Sequence, residues 1–111
     1  MGAPRFFPLT VPNDAPVVPP AVVQAVVAAS TPVSLAGAVG LGYEIVLDPA
    51  AAFVADLEAS VNGKDNWTII AALATGQGAL DDRYQYARIN VTVAGDLGDT
   101  TAVLIGGKDR G

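Results

Sequence analysis

The residues able to do chemistry in this chain are few: eleven Asp and Glu, six Lys and Arg, three Tyr and one Trp, with no His and no Cys. Without histidine the commonest general base and metal ligand is missing. Without cysteine there is no disulfide framework or thiolate zinc site, and the redox compartment cannot be read. The carboxylates gather at Asp81-Asp82 and at Asp96-Leu97-Gly98-Asp99. A calcium ion needs about six to eight oxygens, and neither cluster follows the roughly twelve-residue loop spacing that supplies them. Both read instead as turn-forming aspartates. A glycosidase pair would need one carboxyl raised in pKa by an apolar pocket, and no such setting is visible. The expectation is no catalytic residue, no metal and no cofactor. The sequons Asn66-Trp67-Thr68 and Asn90-Val91-Thr92 would matter only in a eukaryotic secretory pathway, and Asn90 falls in mid-strand.

What remains is the chemistry of binding. Trp67 could stack on a sugar ring, but a lone Trp opening an alternating run is more often core. It is therefore grouped with Leu57, Ile69, Ile89 and Val91 as core. Tyr84, Tyr86 and Arg88 alternate onto one face and have the composition of an interface patch; an ordinary cross-strand surface ladder is the competing reading. A second set, Arg5, Phe6, Phe7 and Leu9, lies near the N-terminus and is expected to touch a partner.

The elements that must position these groups read as strands. Residues 1–20 hold six of the eight prolines, so they can form neither a helix nor a central strand. Their apolar content (Phe6, Phe7, Leu9, Val11, Val17, Val18) is unlike a disordered tail and suggests an extended arm. The arm could fold back on its own domain or lie on a neighbouring subunit. Ala21–Ser30 is Val-rich and strand-like, though its alanines keep a short helix open. Residues 33–42 suit a bent strand or bulge, and 43–47 a short strand ended by Asp48-Pro49.

Residues 49–63 are ambiguous. Asp48, Pro49, the alanines and Asn62-Gly63 make a helix signature. Phe53, Ala55, Leu57, Ala59 and Val61 also alternate as a strand would. Beyond the turn 62–66, the strand expected at 67–73 places Trp67, Ile69, Ala71 and Leu73 on one face. Thr75–Gly78 reads as a turn. From Arg83 to Val93 the alternation is clean: Gln85, Ala87, Ile89, Val91 and Val93 oppose Tyr84, Tyr86, Arg88, Asn90 and Thr92. A turn at 94–99 and a closing strand from Thr100 to Ile105 complete a spacing of about ten residues, that of a sandwich or barrel.

At 111 residues the chain makes one domain. Its net charge of −5 and pI near 4.2 argue against nucleic acid. Only 15% of residues are charged, against about 25% in typical soluble domains, and mean hydropathy is +0.43. Either small residues face water, or part of the surface is buried against other subunits; the second is the reading taken. No charge falls between Asp14 and Glu44, but prolines and glycines break that interval well short of the roughly 20 apolar residues a bilayer span needs. It also reads poorly as a secretory leader. A soluble chain is expected, without membrane contact.

The succession DLEASVNG, NWTIIAAL, a glycine turn, YQYARINVTVAG and TTAVLIGG, over residues 52–107, resembles a recurrent small β-sandwich of tailed-bacteriophage virion proteins, found as head-decoration, head-fibre and tail-fibre or baseplate modules. The resemblance tips 49–63 towards strand. It implies an all-β fold: a single antiparallel β-sandwich, Ig-like or jelly-roll-like, over residues 21–111, preceded by the proline-rich arm 1–20. It further implies a non-enzymatic structural protein. A capsid decoration or cement protein gripping the head shell through sandwich and arm is favoured, because the chain is short and the arm suits joints between subunits. The alternative is a tail-fibre or baseplate module that binds a receptor or glycan. The partners implied are capsid or other virion subunits, with a homo-oligomer (a trimer or lattice multimer). The location implied is the virion, the capsid surface before the tail, with a soluble stage in the host cytoplasm.

Overall fold

A computed structural model describes residues 2–14 and 23–110. The rest of the expected arm, Val17 and Val18 included, lies outside the described residues. Ten strands and no helix are present among those described. They are β1 (Pro4–Leu9), β2 (Gln24–Ala25), β3 (Val33–Ser34), β4 (Ala38–Val46), β5 (Val54–Ser60), β6 (Thr68–Ala72), β7 (Gly76–Ala79), β8 (Tyr86–Val93), β9 (Gly95–Asp96) and β10 (Ala102–Asp109). Every pairing is antiparallel. Sheet I runs β1-β10-β4-β7, sheet II runs β3-β8-β5-β6, and β2-β9 form a two-stranded ribbon.

One hydrophobic core joins the two sheets. Sheet I supplies Phe7, Leu9, Leu41, Ile45, Val103 and Ile105, and sheet II supplies Ala55, Leu57, Ala59, Ala87, Ile89 and Val91. The period of two does this directly, since alternate residues of a strand face the same side. In β8, Ala87, Ile89 and Val91 point inward while Tyr86, Arg88 and Asn90 point outward. In β5 the inner set is Ala55, Leu57 and Ala59, so residues 54–60 are a strand and the helix signature at 49–63 is not realised. Asp48 still caps locally: its Oδ1 accepts from the Ala50 N–H at 2.8 Å, but only a turn follows.

Residues 4–9 of the expected arm form an edge strand of sheet I. Pro4 and Pro8 are tolerated there because an edge strand leaves one side of its backbone unpaired. The expected turn at 75–78 becomes, from Gly76 on, the other edge of the sheet. No helix among the described residues is long and apolar enough to cross a membrane.

Candidate functional site

The outer face of sheet II brings together the side chains best suited to recognition. Register places Ile69, Glu58 and Arg88 in one row across β6, β5 and β8, with Ser60 beside Tyr86 in β5 and β8. Arg88 Nε donates to Glu58 Oε1 at 2.8 Å, and Asn90 Nδ2 donates to Oε2 at 3.3 Å. The Arg88 guanidinium lies over the Trp67 ring, 4.1 Å from its centroid. Glu58 is only 6% exposed although it is on the outer face, because Arg88 and its neighbours cover it. Among the described residues no hydrogen bond engages the two terminal amino groups of Arg88, so a guanidinium held in place at Nε keeps donors for a partner.

The loop between β5 and β6, which leads into Trp67, is fixed by its own hydrogen bonds. Ser60 Oγ, fully buried, donates to the Asp65 carbonyl at 2.7 Å and accepts from the N–H groups of Asn62 and Gly63. Asn62 Oδ1 accepts from the N–H groups of Lys64 and Asp65. Gly63 has φ +75° and Asn66 φ 55°, the left-handed conformations that Gly and Asn adopt most readily. The Tyr86 ring rests on Gly63, where an added Cβ would come within 2.8 Å of it.

Around this polar centre lie exposed apolar side chains: Ile69 is 60% exposed, and the paired Val54 and Val93 are 53% and 51% exposed. A central Trp, Tyr and Arg with apolar neighbours has the composition of an interaction hot spot.

Several expected placements differ. Trp67 is half-buried on the outer face and Ile69 is exposed, whereas Leu57, Ile89 and Val91 are in the core. The reason is a bulge in β6. Leu57 pairs with Ala71 but Glu58 pairs with Ile69, so Ile70 is an extra residue and the face carrying Ala71 does not continue to Ile69 and Trp67. Tyr84 does not join Tyr86 and Arg88. It precedes β8, is 6% exposed and packs in the core. There its hydroxyl accepts from Arg83 Nη2 at 3.1 Å, and that bond, with one from Thr68, pulls the phenol below its usual pKa. In β1, Phe7 and Leu9 are buried in the chain's own core, each 7% exposed. Arg5 donates to the Ala36 carbonyl and pairs with Asp109, and its guanidinium lies over the Phe7 ring. Phe6 alone of that set faces outward, 65% exposed.

In the acidic clusters Asp81 and Asp96 serve turns, while Asp82 ties its loop to β4. Asp81 Oδ1 accepts from the Arg83 N–H, Asp82 Oδ1 from the Leu41 N–H and Asp96 Oδ1 from the Gly98 N–H. No group of three His, Cys, Asp or Glu among the described residues could hold a metal ion. The burial of Glu58 gives no signal in the sequence, where it alternates like any solvated strand residue. No family model matches the chain, and no curated protein or solved structure shows significant similarity to it.

Proposed function

We propose that this protein acts by binding rather than catalysis, as an assembly module that docks on another protein through the outer face of sheet II. The observation that carries the reading is the Glu58–Arg88–Trp67 stack, a pre-ordered cation and aromatic flanked by exposed Ile69, Val54 and Val93. Fixing a long side chain before contact lowers the entropy lost on binding. The two sheets over one core are read as the layers of an antiparallel β-sandwich, a form whose outer faces are free to meet partners.

The partner class comes from the resemblance of residues 52–107 to virion modules: subunits of a phage head shell, with the chain as a decoration or cement protein. Low charge density supports burial of surface in such an assembly. The test is gold-labelled antibody against this chain on purified phage particles, paired with shell binding by an Ile69→Glu variant. Label over the head, and binding lost in a variant that still melts cooperatively, are the expected results. Label confined to the tail moves the partner there, and no label on any particle overturns the virion reading.

A further inference from the structure

The outer face of sheet I is shaped differently, and nothing in the assembly reading uses it. Its register aligns Phe6, Gly106, Gly42 and Ala79 in one row across all four strands. Two adjacent glycines leave the middle of that row as bare backbone. The next row is Pro8, Leu104, Glu44 and Gln77, which rises as a wall. Leu104, Glu44 and Gln77 of this row, with the first row, bound an open trough of about 690 Å³.

Folding does not account for the whole of this clearing. Gly42 is confined, since a Cβ there would lie 3.1 Å from the Gly78 carbonyl. Gly106 is not confined. Its φ is not positive, and a Cβ would meet only the Phe6 ring, at 3.6–3.7 Å, an ordinary contact. Glycine inside a strand weakens it and often marks close approach of a ligand or another backbone. Here it leaves the trough open beside the largest exposed aromatic surface of the molecule.

We propose that this trough binds a neutral saccharide ring, stacked by its C–H face on Phe6 and hydrogen-bonded through its hydroxyls to Glu44 and Gln77. A sugar ring combines an apolar face with a polar rim, and the trough offers the complement: an aromatic plane, a backbone floor, and a carboxylate and a carboxamide side by side on β4 and β7. Glu44 and Gln77 are cross-strand partners, both exposed, so they can engage neighbouring hydroxyls of one ring. The carboxylate in the wall and the net charge of −5 disfavour an anionic ligand. Gly40 closes the other end of the trough, with the Lys108 stem beside it, its Cε 3.7 Å from where a Cβ on Gly40 would lie. The lining is part polar and part apolar, matching the two characters of a sugar ring. This inference stands independently of the virion reading, because it uses the opposite sheet.

The test is saturation-transfer NMR and titration of the intact chain with the methyl glycosides of glucose, galactose, mannose and N-acetylglucosamine, followed by an array of neutral oligosaccharides. Phe6→Ala removes the platform. Gly106→Val fills the floor with a side chain that strands favour, and a cooperative melt of the variant separates loss of binding from loss of fold. At least one neutral sugar is expected to bind, at least tenfold more weakly in both variants, with Ile69→Glu unchanged. No binding by any of these sugars, or binding that survives both Phe6→Ala and Gly106→Val, overturns the proposal.

Discussion

On the outer face of sheet II a carboxylate, a guanidinium and an indole lean on one another, whereas across sheet I the row reads Phe6, Gly106, Gly42 and Ala79. The first surface is filled by side chains that order each other. The second is emptied by two residues that have none. Both sheets share one core and the same alternation, so the difference arises only from the outward positions. A strand's inward residues are dictated by packing, and its outward residues are free to become either a protruding patch or a recess.

The largest effect should come from breaking the filled face. Removing the Arg88 charge leaves Glu58 buried with only Asn90 as donor, and breaking such a pair from one side costs about 3 kcal/mol. Arg88→Met should therefore lower the urea midpoint strongly. Glu58→Leu added to Arg88→Met should restore most of the loss, because no orphaned charge remains. If the single variant costs less than about 1 kcal/mol, the stack is a surface decoration and not an ordered centre.

Two glycines sharpen the comparison at smaller magnitude. Gly63 is demanded by the fold through its positive φ and the Tyr86 ring against it, so Gly63→Ala should cost about 2 kcal/mol. Gly106 meets neither demand, and Gly106→Ala should be neutral or stabilise by up to about 1 kcal/mol. Thermal melts of both variants measure this directly. A loss at Gly106 matching that at Gly63 would mean that folding requires the bare floor, removing the reason to look for a ligand over it.

The strands legible in the sequence were those whose alternation runs unbroken. Ala87, Ile89 and Val91 face the core as their spacing requires, and Ala55, Leu57 and Ala59 match them across the pair. The spacing puts Trp67 and Ile69 in the core, and they lie outside it because a one-residue bulge at Ile70 changes the face without leaving a Gly or Pro to mark it. Tyr84 shares the alternation of Tyr86 in the sequence but precedes the start of β8, so its side chain turns into the core. The prolines around Phe7 and Leu9 suggest an arm reaching a partner, while an edge strand accommodates the same prolines and buries both side chains. The trough was not legible, because Gly42 and Gly106 meet only through the β4–β10 register, which no local pattern specifies.

The smallest effect concerns the joint between the two sheets. Asp48 lies where the chain leaves β4 of sheet I for β5 of sheet II. Its Oδ2 accepts from the N–H groups of Asp99 and Thr100 and from the Thr100 hydroxyl, tying this crossing to the segment that enters β10. The N–H of Ala50, followed by those of Thr100 and Asp99, holds the carboxyl below its ordinary value near 3.8. A carboxyl with a folded pKa below its unfolded one contributes stability that is complete above the unfolded pKa and disappears as pH falls through the folded one. Acid titration of wild type should therefore show a loss developing below about pH 4. Asp48→Asn should be less stable at neutral pH, where its amide N–H₂ faces backbone donors, and should lack that part of the acid dependence. If the two proteins lose stability in parallel below pH 4, the clamp contributes nothing, and the filled and emptied faces are held in register by the shared core alone.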